Sequence, residues 1–329
     1  MDFKKIIRSN LLENNLGREL LFQYKKITNQ IPIPDLNFPE LISLEIASSC
    51  NLSCVHCPPH LKEFRNEVRK FGIMEMELFN KLMNEIDNYG NRRIALHKDG
   101  EPLLHPKIDQ ILNRVKQNNN HIVYLTTNAH YLNEQVSNMI FKNKIDVVNF
   151  SIGAASEEFY QKVRGKNFSK VINNIILFLK LREISNWKPK VIVQIIDLPN
   201  FPEMKKEITK FKKFWSKFEV EIQVWKKLTW GIFEINKNKI NRYPCYSLWE
   251  STFINSDGKA SACCMDWQQK LVTGNSNDKT IKEIWNDEMQ FKLRKMHIDK
   301  KESELPVCPN CNYWNWLPKL KSYEIKSPV

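Results

Sequence analysis

No apolar run in this sequence reaches the ~18 residues that a membrane-spanning helix needs. The longest candidate, residues 171–181, is broken by Asn173, Asn174 and Lys180. The opening MDFKKIIRSN lacks the apolar core of a signal peptide, which predicts a cytoplasmic protein with no membrane partner. Low-complexity tracts and short solenoid-type repeats are also missing. Apolar residues are not scarce: 42% of the 329 residues are hydrophobic and 26% charged, which excludes a disordered chain. The length is that of roughly two domains. The net charge is +13, from 50 Lys and Arg against 37 Asp and Glu. Lysines alternate with glutamates along the whole chain, so the excess reads as solvated surface and no nucleic-acid partner is expected.

What is present in quantity is cysteine, at positions 50, 54, 57, 245, 263, 264, 308 and 311. Three sit close together early and five lie in the last third. Tight spacing in a long chain without a secretion signal indicates metal or redox sites, not a disulfide framework.

Apolar periodicity places strands at 41–47, 92–98, 121–127, 145–152, 190–197 and 219–225, with helical patterns between them. Strands alternating with helices at this spacing predict an α/β fold with a parallel sheet, either a six-stranded partial barrel or an open doubly wound sheet. Both put the chemistry at the C-terminal ends of the strands. Residues 1–40 read as a helical leader and a Pro-punctuated linker, 41–240 as the α/β core, 241–318 as a smaller cysteine-rich domain and 319–329 as a tail. In that smaller domain one helix is predicted over Ile281–Met296, with Asp278 and Thr280 as caps.

Three motifs carry chemistry. Cys50, Cys54 and Cys57 form a C-x3-C-x2-C run after the first strand. Thiolates are the ligands that iron–sulfur clusters select, and three of them leave one iron of a cubane open to another ligand. A zinc knuckle completed by His56 or His60, or three separate thiols, are the alternatives. After the second strand, Gly100 permits a bend and Pro102 fixes the exit, holding Glu101 where a carboxylate can grip an ammonium; a plain turn is the simpler reading. Cys245, Cys263 and the pair Cys308-Pro-Asn-Cys311 form a four-cysteine site suited to zinc or to an iron–sulfur cluster.

Together these motifs resemble the radical S-adenosylmethionine (SAM) superfamily. The resemblance continues in Thr126-Thr127-Asn128, in Asn149-Phe150-Ser151-Ile152-Gly153 and in Arg164-Gly165. Cys245-x12-Gly258-x4-Cys263 is similar to the SPASM domain in its shortened twitch form. Asp99 departs from the family's glycine pair, and His56 takes the place of its aromatic residue. The resemblance implies a partial (β/α)6 barrel followed by a small SPASM/twitch domain. It implies a [4Fe-4S] cluster on Cys50, Cys54 and Cys57 whose open iron binds SAM. Gly100, Glu101 and Pro102 would lie along the SAM site, with Glu101 on the ammonium. Ser151 would meet the ribose and Arg164 the carboxylate, with Asn128 and His56 beside them. Cys245, Cys263, Cys308 and Cys311 would hold one auxiliary [4Fe-4S] cluster.

The implied activity is reductive cleavage of SAM and abstraction of a substrate hydrogen atom, with a flavodoxin- or ferredoxin-type electron donor. A dehydrogenase acting on a sugar- or cyclitol-type alcohol is the leading expectation. An epimerase using Cys264 as hydrogen-atom donor, a peptide-modifying enzyme and a metal-binding nucleic-acid module are the alternatives. Lys226 and Lys227, after the sixth strand, are candidates to face the small-molecule or peptide substrate. Cys264 is the cysteine left over: a buried small hydrophobe, an alternative ligand or that hydrogen-atom donor.

Overall fold

Every strand expected from periodicity forms, and the first five each lay one apolar row against the helices; in the sixth, Ile222 is half-buried and Val224 exposed. The computed structural model describes residues 30–31, 36–64, 70–118, 121–232, 242–317 and 319–320. Most of the expected helical leader and of the tail lies outside these residues; Gln30–Ile31 pairs in parallel with Lys319–Leu320. The core runs β1 (Leu41–Leu44), α1 (Met76–Asp87), β2 (Arg93–Ala95), α2 (Ile108–Arg114), β3 (Ile122–Thr127), α3 (Glu134–Lys142), β4 (Val147–Ser151), α4 (Glu157–Val163), α5 (Phe168–Ile184), β5 (Lys190–Asp197), α6 (Met204–Trp215) and β6 (Glu221–Lys226). In α1, Phe79, Leu82, Met83 and Ile86 repeat at helical spacing and are buried, each stabilising the fold by roughly 1.5–3 kcal/mol over exposure. Asn133 and Ser156 start α3 and α4 by accepting from the backbone N–H of Val136 and Phe159.

Strands β1 to β6 pair in chain order and all in parallel. A doubly wound sheet reverses its order at a switch point; this one does not. With right-handed crossovers, an unreversed order puts the helices on one face and leaves the other as the inner wall of a partial barrel. That decides between the two architectures periodicity left open.

The C-terminal segment adds α7 (Ser247–Glu250), β7 (Ser251–Ile254), β8 (Lys259–Ser261), β9 (Val272–Asn275), α8 (Ile281–Trp285) and α9 (Glu288–Ile298). Strand β7 pairs in parallel with β1, and β8 and β9 continue antiparallel, so one sheet of nine strands crosses the expected domain boundary. Arg93 on β2 forms an ion pair with Glu250 across this junction. A second apolar cluster, including Tyr246, Trp249, Met265, Leu293 and Val307, is built mostly from the C-terminal segment and takes in Leu36 from ahead of β1. The single helix expected over Ile281–Met296 is corrected to two. Asp287 is extended (φ −69°, ψ 156°), and its carboxylate accepts from Met289 N–H, ending one helix and capping the next. Thr280 and Glu283 form the capping box of α8. Among the described residues, no helix is long and apolar enough to cross a membrane.

Candidate active site

The three early cysteines sit on the loop leaving β1. Cys57 N–H donates to Cys54 C=O at 3.0 Å, so one turn folds the third cysteine back onto the second. Burial pushes the Cys50 thiol up to about 12 and the Cys54 thiol up as well. Cys57 is pushed well up by burial, by the charges of Cys54 and Cys50 and by Asp99, while Arg164 opposes. Cys54 also raises Cys50, so the three thiols lie within one another's electrostatic reach, and a cationic cluster would relieve the repulsion of their thiolates. As a donor set they fit a cluster.

Gly100 locks the loop after β2 onto this one. A Cβ there would run into Ala47 O and lie 2.6 Å from Ser48 C and Ser49 O, and Glu101 N–H donates to Ser49 O at 2.8 Å. Glu101, 2% exposed, is held at both oxygens. Oε1 accepts from Leu103 N–H at 3.0 Å and Thr127 Oγ1 at 2.7 Å, and Oε2 accepts from Asn128 N–H at 2.7 Å. Burial raises its pKa, and these donors and Arg164 oppose the rise. Pro102 opens a short turn over Pro102–Leu104. Asn128 Nδ2 lies 2.8 Å from Asn51 Oδ1 and 3.8 Å from Cys50 Sγ. Arg164 Nη2 donates to Ser151 Oγ at 2.6 Å. Gly153, at φ +78°, leaves room for that guanidinium. His56 is buried and kept neutral, its pKa pushed down to about 3 by burial, Arg164 and Lys227. Its Nδ1 has no hydrogen-bond partner among the described residues.

The structure therefore brings the cysteine loop, Gly100–Pro102, Asn128, Ser151, Arg164 and His56 to one end of the sheet, where the charge of Lys227 also acts on His56. Lys226 ends β6 and is exposed. Asp99, in the place of the family glycine, forms a buried ion pair with Lys98 at 2.6 Å, and Lys98 Nζ also donates to Asp266 O at 3.2 Å. That contact spans 168 positions and is invisible to local spacing.

In the C-terminal segment, Cys245, Cys263, Cys308 and Cys311 line one small buried cavity together with His297 and Arg242. Among the described residues no three Cys, His, Asp or Glu side chains converge on a point for a single metal ion. Cys264 does not line the cavity. A hydrogen bond between the two thiols pushes Cys263 down and Cys264 well up.

Sequence reading missed a row on the inner face of the barrel. Thr126 is in register with Asn149, Asn149 Nδ2 donates to Gln194 Oε1 at 2.8 Å, and Gln194 is in register with Gln223. The row crosses four adjacent strands, is uncharged, and leaves Asn149 Oδ1 without a partner among the described residues. The alternating residues Leu125, Val148, Phe150, Val193 and Ile195 are buried in the apolar core. The available signal was polar residues at period two inside Val/Ile-rich strands.

Residues 44–206 match the model of the Radical SAM superfamily, and residues 245–312 that of the iron-sulfur cluster-binding domain SPASM. The chain belongs to the radical SAM superfamily. It is a radical SAM enzyme, with a SAM-binding [4Fe-4S] cluster and an auxiliary cluster. It is 29% identical over 185 residues to a probable GTP 3',8-cyclase of Methanococcus maripaludis, covering 49% of this chain and 60% of the relative. The GTP 3',8-cyclase of Clostridium acetobutylicum is 27% identical over 161 residues, 48% of this chain and 47% of that one. These cyclases are thus spanned over no more than 60% of their length. A SAM-dependent 2-deoxy-scyllo-inosamine dehydrogenase of Niallia circulans is 23% identical over 284 residues, covering 83% of this chain and 92% of the relative. The same fold occurs in BtrN in complex with AdoMet and 2-DOIA (TM-score 0.58, 19% identity, 87% and 96% of the two chains). It also occurs in anSMEcpe with bound AdoMet (TM-score 0.64, 18% identity, 86% and 92%).

Proposed function

We propose that this radical SAM enzyme oxidises an alcohol carbon of a neutral, polyhydroxylated small molecule of sugar or cyclitol type to a carbonyl. The observation that supports the reading is the Thr126–Asn149–Gln194–Gln223 row on the inner wall, built of hydroxyl and amide groups, with the Glu221 carboxylate held at its edge by Gln223 Nε2 at 2.6 Å. Such groups recognise hydroxyls, and each pair left unmade in a buried site costs about 1–3 kcal/mol. The dehydrogenase relative supports it because its likeness runs through both parts of the chain.

Cys50, Cys54 and Cys57 would hold the SAM-binding cluster, and Cys245, Cys263, Cys308 and Cys311 the auxiliary one. When bound, these groups supply a 5'-deoxyadenosyl radical and an electron acceptor. Glu101, fixed by three donors, presents a carboxylate beside the cysteine loop for the SAM ammonium. Ser151 and Arg164, already paired, bound the same space for ribose and carboxylate. The amide row orients the substrate C–H, and the apolar layer behind it excludes water. One hydrogen atom leaves the carbon, one proton leaves the hydroxyl to a base, and one electron leaves to the acceptor, so the product is two hydrogens lighter. A flavodoxin- or ferredoxin-type protein would serve as external donor.

A redox-neutral epimerase is the second reading, favoured by the half-buried Cys264, a thiol left over by the four-cysteine set and hydrogen-bonded to that of Cys263. The deciding experiment incubates the anaerobically reconstituted enzyme with SAM, a reductant and carbon-deuterated sugars or cyclitols. Dehydrogenation yields deuterated 5'-deoxyadenosine and a carbonyl product. An isomer carrying solvent deuterium would establish the epimerase instead, and turnover of peptides alone would overturn both.

A further inference from the structure

The last turn of α9 carries His297, which is 3% exposed and lines the same cavity as Cys245, Cys263, Cys308 and Cys311. Its two nitrogens meet two different ligand segments. The backbone N–H of Cys245 lies 3.3 Å from Nδ1, and Nε2 lies 3.6 Å from Cys308 Sγ. A backbone amide can only donate, so Nδ1 must be the acceptor. A doubly protonated ring would set one donor against another at Nδ1, which leaves the neutral ring with its proton on Nε2. That N–H faces the sulfur, and a nitrogen carrying its proton is a hydrogen-bond donor rather than a metal ligand.

We propose that His297 is a positioning residue of the auxiliary centre, donating an N–H···S hydrogen bond to Cys308 and thereby raising the reduction potential of the cluster held there. The inference rests on the assignment of these four cysteines as the auxiliary ligands. A donor aimed at a ligand sulfur stabilises the reduced, more negative cluster more than the oxidised one. Leu248, Leu271, Leu293 and Leu305 wall the same cavity beside Arg242, whose Nη1 donates to Cys308 C=O at 2.6 Å, and away from water a single donor counts for more. The bond from Cys245 N–H to Nδ1 fixes the ring orientation and ties the segment before α7 to the loop holding Cys308. A higher potential makes the cluster a better acceptor for the electron that a substrate radical must lose.

The test uses the full chain with Cys50, Cys54 and Cys57 replaced by Ala, so that the auxiliary cluster is the only one. After anaerobic reconstitution, iron and sulfide per chain are counted and the midpoint potential is read by EPR-monitored redox titration. His297→Phe should keep the iron and move the potential to a more negative value. His297→Gln, whose amide N–H can occupy the position of Nε2, should return it toward that of the parent; it should also hold iron if the Phe variant does not. An unmoved potential in the Phe variant, a shift that Gln does not reverse, or equal loss of iron from both variants overturns the proposal. A parent that binds no cluster refutes the ligand assignment itself, an outcome seen before any His297 variant is made.

Discussion

Glu101 N–H donates to Ser49 C=O at 2.8 Å, stitching the loop that follows β2 to the loop carrying the first three cysteines. The stitch needs Gly100, because a Cβ there would collide with the backbone at Ala47 and approach Ser48 and Ser49 to 2.6 Å. Backbone atoms cannot move aside as a flexible side-chain end can. Gly100→Ala should therefore separate the loops at a cost of about 1–3 kcal/mol. Iron analysis should show loss of cluster from the N-terminal site with the C-terminal one retained. Full iron content and unchanged SAM affinity in this variant would contradict the role given to the contact.

The two cysteine sets should be separable. Replacing Cys50, Cys54 and Cys57 together by Ala should abolish formation of 5'-deoxyadenosine and leave about four irons per chain. Replacing Cys308 and Cys311 should remove the other cluster while uncoupled SAM cleavage persists. A Cys308/Cys311 variant with undiminished iron would refute the auxiliary assignment.

Glu101→Gln tests the carboxylate. A charge-assisted hydrogen bond to an ammonium is worth roughly 1.5–3 kcal/mol, so SAM affinity should fall by about one to two decades. The substitution also sets an amide N–H against one of the donors that now face Glu101, from Asn128, Thr127 and Leu103. Equilibrium binding to the reconstituted protein measures the loss, and an unchanged Kd would remove Glu101 from the SAM site.

The amide row predicts a change in substrate binding alone. Asn149→Leu removes the atom that pairs with Gln194 and the unpartnered Oδ1. The substrate KM should rise by about one to two decades, reflecting the roughly 1–3 kcal/mol of an unmet buried polar group. SAM cleavage without substrate should stay near the parent rate. Parallel loss of both would place Asn149 at the SAM site instead.

Acid should weaken the fold through its buried histidines. His121 accepts Arg92 N–H at Nδ1 (3.0 Å) and donates to Asp87 Oδ1 (2.9 Å); burial lowers its pKa. Burial lowers that of His97 to about 4. A histidine with a depressed folded pKa binds fewer protons in the native state than in the unfolded one, so its contribution is present above an unfolded pKa of about 6.5. The contribution is lost as pH falls through the folded value. Denaturation midpoints should be level from about pH 7 to 8 and decline from about 6.5 toward 4. A midpoint that rises over that interval would reverse the sign and refute the account.

Local chain chemistry was enough to reveal the cysteine loop after β1, the Gly-Glu-Pro turn and the six core strands. Each depends on residues a few positions apart: three thiols on one loop, a glycine beside a proline, a run of Val and Ile. Their geometry follows from backbone reach and apolar periodicity. The helix break at Asp287 was missed because an apolar pattern runs through it, and a side-chain bond to Met289 overrides that pattern. Other features depend on groups far apart in the chain. Spacing already set Cys245, Cys263, Cys308 and Cys311 apart from Cys264, but only packing brings those four, from three distant segments, to line one cavity. His297 reaches Cys245 across 52 positions and Lys98 reaches Asp266 across 168. The pairing of β7 with β1, and the register that aligns Thr126, Asn149, Gln194 and Gln223 on one wall, exist only once the sheet has closed. Spacing sets which atoms can meet within a loop, but contacts between distant segments follow from how the layers bury their apolar faces.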